Sequence, residues 1–390
     1  MGNNIPQGYK ATALGIIPQE WKTIRLKDCF SISAGGDVQK DCFSEAPSLQ
    51  YKYPIYSNSL FNHGLYGFTS HPRHKANSIT ITGRGALGHA EYREIDFDAI
   101  VRLLVLAPKI PLNGQYITEY INFRKPFFYE STGVPQLTAP QIANIQVLFP
   151  PLGEQRKIAE VLGVWDEAIE KQARLIEKLA LRKRGLMQRL LSAKLRLPGF
   201  SEPWKIHKLQ ELFTERNETN RTDLPLLSIT GDRGVILQTE SEKRDTSNDD
   251  KSKYKRIAKG DIGYNTMRMW QGRSALSGLE GIVSPAYTIV VPNTDVDGYY
   301  MSVLFKQPRL IYDFWTHSQG LVGDTLNCKY RDFGQVHICC PPLAEQKAIT
   351  EVLTAADREI ELAKEKLERL RRQKRGLMQQ LLTGKKRMKY

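Results

Sequence analysis

The stretch PPLGEQRKIAEVL, Pro150 to Leu162, returns as PPLAEQKAITEVL, Pro341 to Leu353, and KRGLMQRLL, Lys183 to Leu191, returns as KRGLMQQLL, Lys374 to Leu382. Both matches share one offset of 191 residues with no gap between them, so the chain carries the same helix-forming block twice. Working outward, EWKTIRLKDCF, Glu20 to Phe30, resembles PWKIHKLQELF, Pro203 to Phe213, at an offset of 183. Between these anchors the two intervening segments share little. Four segments follow: a globular unit over 1–149, a helical segment over 150–198, a second globular unit over 199–340 and a second helical segment over 341–390. A repeat of two large units implies approximate twofold symmetry within one chain, which suits a pair of identical partners.

Pro150-Pro151 and Pro341-Pro342 mark where a strand ends and a helix begins, because proline has no N–H to donate and its fixed φ suits a first helical turn. Beyond them a heptad frame runs unbroken. Its a positions are Leu162, Ile169, Ile176, Lys183 and Leu190, and its d positions Ile158, Trp165, Gln172, Leu179 and Leu186. The second copy repeats it with Leu353, Ile360, Leu367, Lys374 and Leu381 at a, and Ile349, Ala356, Ala363, Leu370 and Leu377 at d. Five heptads predict two long helices of roughly 60 Å that pair with each other as an antiparallel coiled coil. A lysine enters the seam in each copy, Lys183 and Lys374, a substitution that lowers stability and fixes register. The arginines around them, Arg182, Arg184, Arg371, Arg372 and Arg375, read as a solvated face.

The length of 390 residues and 41% hydrophobic content require more than one core. No run approaches the roughly 18 apolar residues of a membrane helix, since Ile100 to Pro108 is broken at Arg102. The polar start, Met1 to Lys10, is unlike a secretory signal, and a cytoplasmic location without membrane contact is expected. The five cysteines form no CxxC pair, and Cys339 and Cys340, neighbours in an apolar run, are expected as buried thiols of a reducing compartment. His71 and His74 make one HxxH beside Pro72, read as a solvated loop rather than a metal site. Net charge is +14, which suits a polyanionic partner. Lys+Arg against Asp+Glu stand at 14 to 11 over residues 1–151, 11 to 6 over 152–198, 18 to 18 over 199–340 and 13 to 7 over 341–390, so the helical segments hold most of the excess.

Both globular units read as mixed α and β. In the first, Ser78–Thr82, Ala99–Leu106 and Ile145–Phe149 are strand-like and Gln115–Phe123 helical. In the second, Leu226–Thr230, Ala286–Val291 and Gln335–Cys339 are strand-like and Tyr299–Lys306 helical. The turn Gly83-Arg84-Gly85-Ala86-Leu87-Gly88 spaces its glycines as in a dinucleotide fingerprint, but no βαβ pattern follows, and a tight turn exposing Arg84 is the better reading. Neither unit contains a phosphate loop, a zinc-protease motif, a nucleophile elbow or an aromatic-flanked N/D-P-P-[YF] methyltransferase tetrad, which favours binding over catalysis.

With both copies laid out, the chain resembles the specificity subunit of type I restriction-modification enzymes. The residues carrying this are the two PPL-x-EQ helix starts, the two KRGLMQ-x-LL helix ends and the W-K-x-x-x-L-x-x-x-F patterns at Trp21 and Trp204. KGDIGYNTMRMWQG (Lys259–Gly272), GIVSPAYTIV (Gly281–Val290) and SITITGRGALG (Ser78–Gly88) add to it by their likeness to target recognition domains. The resemblance implies a non-catalytic chain with two target recognition domains, each reading half of a bipartite site on double-stranded DNA, and helices that set the spacing. It further implies two modification (methyltransferase) subunits docked on the helices, with Glu154, Gln155, Glu345, Gln346, Arg184 and Arg375 as docking residues, and restriction/translocase subunits completing the enzyme. S-adenosylmethionine, ATP and Mg are expected on those partners, and no cofactor or metal on this chain.

Base readout needs Arg, Lys, Asn or Gln side chains able to pair with base edges. In the first unit this selects Tyr56, Ser57, Asn58, Arg84 and the stretch Ser131 to Thr138 with Gln136 and Thr138. In the second it selects Arg233, Asn265, Arg268, Asn327, Lys329 and Arg331, with the loop Lys243 to Arg256 on backbone phosphates. Tyr264, Trp270 and Tyr287 read as core. The alternative is a non-catalytic coiled-coil scaffold whose globular units bind protein partners.

Overall fold

A computed structural model describes residues 5–125, 127, 135–231, 233–241, 249–320 and 326–389 of the chain. Contacts group it into two compact units, Met1–Arg174 with Lys364–Tyr390, and Leu175–Ala363. This grouping differs from the expected boundaries near residues 150, 199 and 341, because each long helix contributes one half to each unit.

The helices run Leu152–Leu190 and Leu343–Leu381, 39 residues each. The first stops where Ala193 turns left-handed at φ 57°, the second where Gly384 does so at φ 73°. In the first unit, Ile158, Ala159 and Leu162 share a core with Leu381 and Leu382. In the second, Leu190 and Leu191 share one with Ile349 and Leu353, and Leu179 packs with Ile360 and Ala363. Rising numbers on one helix meet falling numbers on the other in both units, the antiparallel pairing that the heptads predict. The seam lysines are neutralised in kind: Lys374 Nζ donates to Asp166 at 2.7 Å in the first unit, and Lys183 Nζ to Asp357 at 2.5 Å in the second.

The globular part of the first unit holds a four-stranded antiparallel sheet in the order Phe30–Ala34, Leu104–Pro108, Ser78–Ile81, Ala90–Arg93. Ser78–Ile81 is buried at every position. A second sheet joins Asp98–Ala99, Tyr53–Tyr56, Leu65–Thr69 and Phe43–Ser44. The strand expected over Ala99–Leu106 is therefore two strands in two sheets. Val101 and Arg102, both left-handed at φ 55° and 60°, make the break, which no propensity announces in so apolar a run. The predicted helix is Gly114–Arg124, its N-cap Asn113 Oδ1 accepting from Tyr116 N at 2.8 Å.

The second unit repeats the logic with a sheet ordered Phe213–Glu215, Tyr287–Pro292, Ile262–Asn265, Ser274–Leu276, and a helix Gly298–Leu304 capped by Asp297. Phe213, Tyr264, Phe305, Phe314 and Phe333 form its aromatic centre. Gln335, expected to open a strand, instead ends the helix Tyr330–Gln335, and the strand is His337–Cys340. Within that strand, Cys340 is buried but Cys339 is exposed, because successive residues of a strand face opposite ways. Among the described residues no helix is long and apolar enough to cross a membrane, and no group of His, Cys, Asp or Glu is placed to hold a metal ion.

Candidate nucleic-acid interface

The repeated PPL-x-EQ motif is a clamp that sets the readers on the helices. Glu154 is 0% exposed, accepts the Trp21 indole N–H at 2.9 Å and is gripped by Arg387 at 2.8 Å. Its counterpart Glu345 accepts from Trp204 Nε1 at 3.2 Å and from Arg196 Nε at 2.6 Å. Gln155 Nε2 donates to Pro150 O, and its Oε1 accepts from Asn113 N, each at 2.9 Å. Gln346 repeats this with Pro341 O and Asp297 N, again at 2.9 Å. The expectation that Glu154, Gln155, Glu345 and Gln346 dock partner subunits is thus corrected: these side chains face inward and their polar atoms are satisfied within the chain, as burial demands. Arg184 and Arg375 are exposed on the helices.

In the first unit the sheets bring four loops to one place, with Asn58 at the centre. Its Nδ2 donates to Val101 O at 2.7 Å, while its Oδ1 accepts from Gly83 N at 2.7 Å and Arg84 N at 3.3 Å. Leu137 N donates to Gly83 O at 2.9 Å, adding the segment of Gln136 and Thr138. A Cβ on Gly83 would stand 2.8 Å from Leu137 O and 3.0 Å from Arg102 O, so only glycine permits this crossing. Ser57, Asn58, Arg84, Gln136 and Thr138 are therefore gathered. Asn58 is committed to the scaffold, and Thr138 caps a short helix, its hydroxyl donating to Gln141 at 2.8 Å. Tyr56 stands apart, half-buried under the Arg93 guanidinium at 3.6 Å from its ring centre. Residues 131–134 of the expected Ser131 to Thr138 stretch lie outside the described residues, as do 243–248 of the Lys243 to Arg256 loop. The turn after Ser78–Ile81 leads into the strand Ala90–Arg93, not a helix, so its glycines form no dinucleotide fingerprint.

The second unit converges similarly. Asn265 N donates to Arg273 O at 2.9 Å, Thr266 N to Ala286 O at 3.0 Å and Cys328 N to Thr266 O at 2.8 Å. This ties Asn265 and Arg268 to the segment of Asn327, Lys329 and Arg331. Arg233 stays with its own turn, its N–H donating to Thr230 Oγ1 at 3.0 Å and its guanidinium to Glu240 O at 3.1 Å, while the Arg273 guanidinium lies against Gly231 in a groove of about 510 Å³ lined by Gly231, Gln271, Gly272, Arg273, Lys306 and Ile311. Asn265 Oδ1 accepts from Met267 N at 3.0 Å, so this side chain shapes the turn that presents Arg268. Tyr264 is core as expected, while Trp270 and Tyr287 are half-buried.

Many arginines of this protein are held by carboxylates, as in Arg73 with Asp98 or Arg216 with Asp261. Among the described residues, Arg84, Arg102, Arg268, Arg273, Lys329 and Arg331 have no such partner. Cations without a carboxylate partner on converging loops favour an anionic ligand and leave guanidinium forks free for base edges. Arg102, Arg273 and Lys306 were not foreseen. Arg102 and Lys306 lie outside the quoted motifs and Arg273 directly follows one, and the tertiary contacts bring them in.

The family model of the type I restriction modification DNA specificity domain matches residues 18–180. A type I specificity subunit of Mycoplasma pneumoniae is 33% identical over 145 residues, 37% of this chain and 39% of that relative. The MjaX specificity subunit of Methanocaldococcus jannaschii is 25% identical across 98% of this chain and 97% of its own length. Among solved structures, the S subunit of a type I restriction-modification system from M. genitalium superposes with a TM-score of 0.59 at 14% identity, covering 98% of this chain and 97% of that one. A chain from a structure on complex assembly and conformational transition of a type I R-M system gives 0.58 at 16% identity, covering 94% and 99%. At these identities the structures speak to the fold.

Proposed function

Because the chain belongs to the family of type I restriction-modification specificity subunits, we propose that each of its two loop clusters reads one half of a bipartite site on double-stranded DNA. The observation that carries this is the contrast between the parts. The clamps around Glu154 and Glu345 share their Trp, Arg and Gln contacts, whereas the cluster around Asn58 and Arg84 shares no residue pattern with that around Asn265 and Arg268. One retained mount with two unlike cationic faces is what an asymmetric site requires.

Arg84 and Arg268 are the leading base readers, each worth about 1–3 kcal/mol of discrimination if bidentate to guanine. Arg102, Arg273, Lys329 and Arg331 supply phosphate contacts that hold register. The helices set the separation of the two readers, and their exposed faces around Arg184 and Arg375 dock two modification subunits. The chain performs no chemistry and binds no cofactor of its own. Methyl transfer from S-adenosylmethionine, and ATP- and Mg-dependent translocation and cleavage, belong to the partner subunits.

The test is to map methylated adenines in a host carrying this chain with its modification subunits. The expected result is one split motif, relaxed in one half by Arg84→Ala and in the other by Arg268→Ala. A motif that neither substitution alters would overturn the two-reader assignment.

A further inference from the structure

The turn beside Asn58 carries a large aromatic side chain out into solvent. Phe61 is 85% exposed and its neighbour Leu60 54%. The residues that follow hold them out: Asn62, His63 and Gly64 are all left-handed, at φ 46°, 54° and 80°. That conformation is locked from several sides. Ser57 N donates to Gly64 O at 2.8 Å, Arg93 Nη2 to His63 O at 3.0 Å, and Phe61 N to Ser59 Oγ at 3.1 Å. The second strained turn, Val101-Arg102, is joined to the same knot through Asn58 Nδ2 and leaves Val101 47% exposed. A β-branched residue at positive φ is a true outlier, and strain over-determined by its surroundings collects at functional sites. Four left-handed non-glycine residues thus stand in two turns that the Asn58 side chain joins, one carrying Leu60 and Phe61 and the other Val101 and Arg102, with the Arg84 N–H on the same amide.

We propose that Phe61 is a specificity-determining residue that packs on the 5-methyl group of a thymine, next to the base read by Arg84. This deepens the DNA-reading assignment and rests on it. Arg84 and Arg102 draw the face onto DNA, and a guanidinium that pairs with guanine does so in the major groove. The thymine methyl is the one apolar group that groove offers, so a rigid aromatic ring delivered there has a single complementary target. The locked turn removes the ordering cost that a mobile loop would incur on binding. A protein surface would also cover Phe61, but it would not account for Arg84 and Arg102, which have no carboxylate partner among the described residues and stand on the two turns that Asn58 joins to this one.

The test uses the complex of this chain with its modification subunits and duplexes of the motif found by methylation mapping. Each thymine of the half-site relaxed by Arg84→Ala is replaced in turn by uracil, which lacks only the methyl. One such duplex should bind the wild type about fourfold more weakly, the ratio given by the ~0.8 kcal/mol of one buried carbon group. The Phe61→Ala complex should bind thymine and uracil duplexes alike, and Phe61→Leu should retain part of the difference. The thermal midpoint of Phe61→Ala should match the wild type, since the ring packs on little in the free chain.

The inference is overturned if the half-site contains no A·T pair, if no uracil substitution separates wild type from Phe61→Ala, or if Phe61→Ala fails to assemble with the modification subunits. It is equally overturned if 2-aminopurine beside the site brightens on binding the wild type alone, which would make Phe61 an unstacking wedge. Motif preference retained in the wild type without any thymine-over-uracil preference removes this inference only. Absence of preference in the wild type removes the DNA-reading assignment with it.

Discussion

At the scale of single residues, the firmest consequences lie in the clamps. Glu154 holds both the Trp21 indole and the Arg387 guanidinium. Glu154→Ala would leave the buried Trp21 N–H without its acceptor and Arg387 with Glu20 alone, a loss of about 1–3 kcal/mol that thermal unfolding should register. Adding Arg387→Met should restore part of it, because removing both partners of a buried pair costs less than removing one. Glu119 offers a pH test. Burial pushes its carboxyl up to about 7, Asp166 adding to the rise and Lys374 opposing it. Between roughly pH 4.5 and 7 the folded chain keeps a proton that the unfolded chain has released, so stability should fall as pH rises through that window. Glu119→Gln should flatten that slope, and a slope unchanged by the substitution would remove Glu119 as its source. At this scale the sequence was a mixed guide: Arg84 and Arg268 are exposed as expected, but Glu154 and Glu345 look like surface residues until their partners, more than a hundred residues away, are known.

At the scale of elements, the two seam lysines are equivalent by sequence and unequal by surroundings. Lys374 faces both Glu119 and Asp166, whereas Lys183 faces Asp357, whose other oxygen accepts from the Tyr299 hydroxyl at 2.6 Å. Lys374→Met leaves the Glu119 and Asp166 carboxyl groups facing each other with no cation and one proton between them, while Lys183→Met leaves one carboxylate that keeps a hydroxyl donor. Destabilisation should therefore be larger for Lys374→Met, by about 1–2 kcal/mol in denaturant titrations. The helices themselves were legible, since a heptad repeat is local and survives without knowledge of the fold. The strand break at Val101-Arg102 was not, because it depends on Asn58 and on Gly35 and Gly36, whose carbonyls accept from Arg102 N and Val101 N at 2.9 Å.

At the scale of the whole molecule, each compact unit borrows half a helix from the other copy of the repeat. A chain ending at Ala363 would lack Lys374, Leu381, Leu382 and Arg387, all of which pack in the first unit. Limited proteolysis should then cut residues 5–149 readily while 199–340 resists, and equal resistance of both would contradict the grouping. The sequence by itself determined the duplication, the helices and their antiparallel pairing, because periodicity and exact repetition are written locally and need only be counted. Tertiary structure alone decided that the Glu-Gln pairs point inward, that Asn58 ties its loop to the turns of Gly83 and Val101, and that Phe61 stands exposed. Those outcomes arise from hydrogen bonds and close approaches between residues distant in the chain, and no local pattern encodes which distant partner will arrive.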